Sequence, residues 1–384
     1  MGSYCIIEQS LSIENRKGMD MKNRKKRLLL IVLALSLCMS VLASCSKTDT
    51  VQTETEVFTE GTDTSVTITS YTDFSKAGDY FLEEGDRIAV IAPSALAGLD
   101  KVELMMEGVR KWGYVPVKGK YVSVEERTLE ECIEDLVWAL NDPEIKAIYP
   151  VRGGHASSEV LDQLPLSLIK DANKPIIGFS DISACLSAWT VSGLPSIHAS
   201  MWGCFDGSMP TECTDAIQNV MKGQIPVYQC QGSEYDIPGS VEGVLIGGNL
   251  ATLTTVLDTD YDCTMIEEPF ILFLEEVEED YEHIHRFLTI LDHKGILDKA
   301  SGLIFGEWVD IPKECDTYNG NSRGGKFKSV ADMISREFLE GRKIPVAFGF
   351  PAGHANVNYS LLMGVKLKLD VREDSYTMEW INEE

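Results

Sequence analysis

The spacing of apolar and polar positions divides the chain into stretches of different character. Leu28 to Val41 is an uncharged apolar run behind the basic cluster Lys22, Arg24, Lys25, Lys26 and Arg27. Ser46 to about Tyr71 is rich in Thr, Ser, Glu and Asp and has little to bury, so it reads as a solvated tether. From Gly85 short apolar runs alternate with helical periodicity. Arg87–Ala92 is a strand stopped by Pro93, and Leu99–Trp112 is a helix. Tyr114–Val117 is a strand, and Thr128–Leu140 is a helix broken at Asp142-Pro143. Ala147–Val151 is a strand closed by Gly153-Gly154, Val160–Ile169 is a helix, and Pro175–Gly178 is a strand. Alternation at this spacing predicts a parallel sheet with helices on both faces, whose functional loops lie at the C-terminal strand ends.

Beyond that point the pattern changes. Residues 205–238 have mixed polarity and no clean period, and are expected to be a linker. Val241–Ile246, Ile271–Leu274, Gly302–Phe305, Val346–Phe348 and Val365–Leu369 are strand-like, with one long helix, His283–Leu297, among them. This predicts a smaller, β-rich α/β C-terminal domain. The Gly/Asn/Lys-rich stretch Lys313–Lys328 reads as a surface loop. The expected division is therefore 1–20 as an over-long N-terminus, 21–44 as an export signal, 45–75 as the tether, 76–204 as the N-terminal α/β domain, 205–238 as the linker and 239–384 as the C-terminal domain.

The ends of the chain refine this picture. A basic head, an apolar middle and the small-residue exit Leu42-Ala43-Ser44-Cys45 mark a lipoprotein signal, with Cys45 as the lipidated residue. The alternative is an uncleaved membrane anchor. The formal net charge is −26; removing residues 1–44, with seven bases and three acids, leaves 27 bases and 57 acids, a net −30. Such a balance argues against a nucleic-acid partner and leaves attachment to the membrane to the lipid alone. The expected location is the extracytoplasmic face of a cell membrane. Of the ten cysteines, the seven beyond Cys45 are scattered, odd in number and without a C-x-x-C pair, so neither a zinc site nor a redox motif is indicated.

Three distant motifs can supply a nucleophile, an acid and a base. Arg152-Gly153-Gly154 leads to Pro175-Ile176-Ile177-Gly178-Phe179-Ser180-Asp181-Ile182, where Ser180 stands at a strand-to-helix break. Ile271 to Val277 places Glu275 behind four apolar residues. Pro345 to His354 places His354 after a Gly/Pro turn. Ser, Glu and His in this order can form a hydrolase triad in which Oγ attacks, imidazole takes the proton and carboxylate holds the imidazole. The N–H of Asp181, at a helix start, suits an oxyanion, and the R-G-G turn suits a second donor, assigned to Gly154. From local sequence alone Ser180 reads first as a helix N-cap, Gly153-Gly154 as a plain turn, and the glutamates after Glu275 as a solvated loop, with Glu276 the fallback for the acid.

These motifs, with Gly85 to Ser94, Pro150 to Gly154, Gly247-Gly248-Asn249-Leu250, Leu272 to Leu297 and Leu367 to Asp370, resemble the LD-carboxypeptidase family of serine peptidases, which includes the microcin C immunity peptidases. The resemblance spans most of residues 80–372. It implies a class I glutamine amidotransferase-like N-terminal fold and the triad Ser180, Glu275 and His354. It also implies cleavage of a terminal D-amino acid from a murein peptide, no metal or other cofactor, and a homodimer. Two departures stand out: His155-Ala156 follows the R-G-G turn where the family commonly has Tyr-Gly, and Ala355 follows His354 where it commonly has Gly. Neither touches a triad side chain, and both are expected to bear on the shape of the pocket and so on substrate preference. Arg152, His155, His198 and Asn249 are candidates for substrate contact, although His198 suits a structural role, Arg152 an ion pair and Asn249 a turn equally well. The rival readings are a microcin-C-like hydrolase of aminoacyl nucleotides and, in another class, a solute-binding lipoprotein.

Overall fold

The computed structural model describes residues 57–60, 65–76, 80–312 and 327–382. Cys45, the export signal, most of the tether and almost all of the Lys313–Lys328 loop lie outside the described residues. Among the described residues no helix is long and apolar enough to cross a membrane.

The parallel sheet forms as the alternation requires. Arg87–Ile91 lies between Val115–Lys118 and Ile145–Pro150, all parallel. Its central strand is buried at every position after Arg87, and Ile145–Pro150 is buried at all but one, the pattern of strands covered on both faces. The bridge between Ile148 and Ile176 leads to a further group of strands, in which Ser196–His198 pairs parallel with Ile177–Gly178 and antiparallel with Leu361–Met363. The intervening helices are locally specified. Leu129–Asn141 starts on a capping box, with Thr128 accepting from the Glu131 N–H and Glu131 accepting from the Thr128 N–H. It ends at Asp142, one residue before Pro143. The single helix expected over Val160–Ile169 is two short ones, Ser157–Leu161 and Leu166–Ala172, because Pro165 interrupts the first and precedes the second.

The second sheet is larger and mixed. Its nine strands run Val57–Glu60, Gly302–Pro312, Phe270–Val277, Gly239–Asn249, Lys366–Val371, Ser375–Trp380, Gln224–Gln231 and Val66–Asp73, with Val346–Phe348 pairing Gly302–Pro312. The central members are parallel and the flanking ones antiparallel.

Four expectations change here. Residues 66–73, assigned to the tether, form a strand. It is a sheet-end strand with exposed Thr67, Thr69, Ser70 and Tyr71, so its polarity is that of an edge, while its β-branched residues suit the pleat. The 205–238 linker contains the helix Thr211–Met221, which buries Cys213, Ala216, Ile217, Val220 and Met221 at helical spacing, and the strand Gln224–Gln231. With these additions the sheet expected to belong to a smaller C-terminal domain is the largest of the three described. The helix expected over His283–Leu297 is Tyr281–His293 followed by Ile296–Lys299, parted by Gly295 at φ +73°.

Candidate active site

The turn that carries Ser180 is built where the parallel strand Ile177–Gly178 ends. Phe179 is fully extended, and Ser180 then swings to φ +61°, the left-handed region that side chains seldom occupy. Such a residue costs about 1–3 kcal/mol and persists only where its surroundings hold it. Here a short 3₁₀ turn, Ser180–Ile182, runs straight into the helix Ser183–Val191. The buried Asp181 carboxylate accepts from the Ser94 hydroxyl at 2.5 Å and the Ser157 N–H at 2.9 Å, tying the turn to the end of the first strand and to a helix start. Gly153 lies against the hydroxyl. A Cβ at that position would stand 2.9 Å from Ser180 Oγ and 3.1 Å from the Asp181 nitrogen, so only glycine leaves the space beside the Ser180 hydroxyl open.

Glu275 comes from Phe270–Val277, the central parallel strand of the mixed sheet. Alternation along a strand sends adjacent side chains to opposite faces, and this separates Glu275 from Glu276. Glu275 is fully buried, and its Oε2 lies 2.7 Å from His354 Nδ1. Glu276 is buried on the other side. Its carboxylate accepts from Asn249 Nδ2 at 2.7 Å, the Ala251 N–H at 2.7 Å and the Val277 N–H at 2.9 Å. Burial and the charge of Glu275 nevertheless push the Glu276 carboxyl up to about 7.

His354 reaches Glu275 because Gly353 adopts φ +141°, where a Cβ would come within 2.8 Å of Glu275 Oε2. Its ring packs on Phe179 at 4.7 Å between centroids. Burial opposes the imidazolium, but the Glu275 charge and hydrogen bond outweigh it and hold His354 above its ordinary value. With Nδ1 committed to Glu275, Nε2 is the nitrogen that can exchange a proton.

Ser180 and His354 line one cleft of about 500 Å³, together with Arg152, Gly153, Gly154, Phe179, Trp202, Glu278 and Asn358. Lys101 joins them, its ammonium 4.2 Å from the Trp202 ring centroid. A strained serine, a histidine on a buried carboxylate and a cationic wall make an arrangement suited to acyl transfer from a carboxylate-bearing substrate.

Comparison with known proteins places this arrangement. The LD-carboxypeptidase N-terminal domain model matches residues 88–199, and the LD-carboxypeptidase C-terminal domain model matches residues 242–369. The chain belongs to the LD-carboxypeptidase family. It is 29% identical over 294 residues to the murein tetrapeptide carboxypeptidase of Pseudomonas aeruginosa, covering 71% of this chain and 89% of that one. It is 26% identical to the microcin C7 self-immunity protein MccF of Escherichia coli, covering 75% and 92%. The fold is shared with muramoyltetrapeptide carboxypeptidase from Oxalobacter formigenes, at a TM-score of 0.66 and 23% identity over 77% of this chain and 99% of that one. It is also shared with MccF in complex with glutamyl sulfamoyl guanosine, at 0.64 and 22% over 79% and 99%.

The remaining candidates from the sequence separate clearly. Arg152 and Gly154 line the cleft, and Asp181 follows Ser180 in the turn, its carboxylate held by the Ser94 hydroxyl. Of the glycine pair, Gly153 approaches the serine, whereas a Cβ on Gly154 would meet Ser94 and Ala95. His155 is exposed and outside the cleft wall. His198 is fully buried between Phe179 and Phe273, so it reaches no substrate; burial drives its ring down to about 4, against the pull of Glu275. Asn249 is spent internally. Its Oδ1 caps the helix Leu250–Val256 by accepting from the Thr252 N–H at 3.0 Å, and its Nδ2 holds Glu276. The sequence reading missed Lys101, Trp202 and Asn358, which stand on a helix face, a short turn and a loop with no local motif to mark them. Among the described residues no group of three or more His, Cys, Asp or Glu could hold a metal. The six described cysteines are buried and unpaired.

Proposed function

We propose that the protein is a serine-type LD-carboxypeptidase that removes a terminal D-amino acid, D-Ala, from murein tetrapeptides. The observation that carries this reading is the 2.7 Å bond between His354 and the fully buried Glu275, at the cleft that also holds the strained Ser180. Ser180 Oγ attacks the carbonyl carbon of the L-centred residue while His354 Nε2 takes the hydroxyl proton. The oxyanion is met by the Asp181 N–H and a donor from the Gly153-Gly154 turn. Collapse breaks the C–N bond, and His354 returns the proton to the departing amine. Water then enters by the same base and releases the acyl group. Arg152 and Lys101 give the cleft cations for the terminal carboxylate that defines a carboxypeptidase substrate.

A second reading, hydrolysis of an aminoacyl nucleotide amide, is favoured by the Trp202 ring on the cleft wall, a surface on which a base stacks. The relatives include both kinds of protein. The deciding assay compares D-Ala release from a murein tetrapeptide with hydrolysis of an aminoacyl sulfamoyl nucleoside, using residues 57–384, wild type against Ser180→Ala. Release of D-Ala with a loss of about 10⁴-fold or more in kcat for the variant is expected. Alanine carries the same Cβ at φ +61°, so the thermal midpoint should not move. Equal rates for the two proteins would sink the serine mechanism, and turnover of the nucleoside alone would select the second reading.

We also propose that the chain is attached to the outer face of the membrane through lipid on Cys45, on the strength of the basic, apolar and small-residue sequence before it. The wild type should have lost residues 1–44 and carry lipid, and Cys45→Ala should lose the lipid; a wild type that keeps residues 1–44 and is unchanged in mass and retention by Cys45→Ala argues for a simple membrane anchor.

A further inference from the structure

The catalytic reading leaves one buried group next to the acid without a task. Glu307 is 3% exposed, lies in the strand Gly302–Pro312, and among the described residues has no ion pair. Its Oε2 has no hydrogen-bond partner, and neither has Oε1 of Glu275. The strand register explains their proximity. Leu274 faces Phe305 and Glu276 faces Trp308, so the extra residue on the second strand leaves Gly306 and Glu307 opposite the single Glu275. A bulge of this kind redirects a side chain, and bulges gather beside active sites. Both glutamates also meet the same short segment: the Glu307 N–H donates to the Ala352 carbonyl at 3.2 Å, and Glu275 packs on Gly353.

We propose that Glu307 is a positioning residue of this site: as a neutral carboxyl it directs its proton toward the free Oε1 of Glu275 and so fixes the carboxylate that holds His354. This rests on the triad reading above. Two buried carboxylates side by side do not both ionise, and Glu275 is the one that faces the imidazole. Burial first, and then the charge of Glu275, push Glu307 up to about 8, so it keeps its proton at neutral pH. The groups that face it are Glu275 from the neighbouring strand and the Cys213 thiol from the helix Thr211–Met221, itself pushed up to about 11 by burial. Neither offers a cation. Asn249, Ala251 and Val277 serve Glu276 on the other face and cannot take this role.

The test is the pH profile of D-Ala release by the wild type, Glu307→Leu and Glu307→Gln, with Ser180→Ala alongside. Glu307→Leu removes the donor. It should lower kcat by about ten- to a hundredfold, the loss expected when one hydrogen bond to a charged group is removed, and leave KM within about twofold. The acid limb should move to higher pH, because an undonated Glu275 carboxylate holds the imidazolium more strongly. Glu307→Gln supplies an N–H donor and should recover most of that loss. Since it cannot ionise, it should also lack the alkaline decline expected of the wild type as Glu307 loses its proton and becomes a second anion beside Glu275. A merely structural role would lower the melting temperature and move neither limb. Both limbs unmoved in the two variants, with Ser180→Ala inactive, overturns this proposal alone; an active Ser180→Ala overturns the triad reading instead. If Glu307→Leu does not fold, the alkaline limb of Glu307→Gln decides.

Discussion

Two groups of strands contribute different things to one cleft. The N-terminal strands, the parallel sheet and the strand group that continues it, contribute backbone: Ser180 held at φ +61°, a helix start behind it, and Gly153 pressed against its hydroxyl. The mixed sheet contributes buried charge: Glu275 on His354, with Glu276 and Glu307 nearby, both pushed up toward neutrality by burial. Geometry can be set by local sequence, because a strand end, a turn and a helix start are neighbours in the chain. Buried carboxylates need partners from distant segments, and removing a partner leaves a charge without solvent. The first half should therefore be sensitive to changes of shape and the second to changes of charge.

Three substitutions sharpen or break that contrast. The largest effect is expected from Glu275→Gln, which keeps shape and removes charge. Turnover should fall by about 10³–10⁴-fold with little change in KM, because an amide cannot stabilise the imidazolium. His354 is held above its ordinary value by the Glu275 carboxylate, so the acid limb of wild-type kcat/KM should lie above the usual histidine range. In Glu275→Gln that limb should shift to lower pH as the charge disappears. An acid limb that stays in place would mean that another group sets it.

Gly153→Ala is the matching test of the backbone half, since it changes no charge. The new Cβ, 2.9 Å from Ser180 Oγ, must displace the hydroxyl or the oxyanion donor. A loss of about 10²–10³-fold in kcat is expected, with the pH profile of the wild type retained. Wild-type turnover in this variant would show that the close approach is not used.

Arg152→Ala probes a charge that the parallel half does carry. Arg152 lines the cleft and, among the described residues, has no ion pair, so its loss should raise KM by about tenfold, as expected for one charge-assisted contact. An effect confined to kcat would place Arg152 nearer the reacting atoms than a substrate anchor.

The contrast also marks where the sequence was legible. The strands Arg87–Ile91, Val115–Lys118 and Ile145–Pro150 and the helices Leu99–Lys111 and Leu129–Asn141 fall within a few residues of expectation, because each carries its own apolar pattern and stop signal. In the mixed sheet the inner strands were visible as apolar runs but their ends were not. Phe270–Val277 continues through two buried glutamates, and Gly302–Pro312 continues past Gly306-Glu307, where composition signals an ending. The helix Thr211–Met221 was overlooked, although its buried positions keep helical spacing, because cysteine, alanine and methionine make a faint stripe.

By itself, the sequence determined the family, the order of the parallel elements and the three motifs bearing Ser180, Glu275 and His354, because motif residues and periodicity are local properties of a chain. The tertiary structure alone decided that Glu275 and not Glu276 faces the histidine, and that His198 and Asn249 are internal. It also decided that Lys101 and Trp202 share the cleft, and that Glu307 stands opposite Glu275. Each of these depends on strand register and on burial between segments far apart in sequence, and a shift of one residue in register exchanges the two faces of a strand.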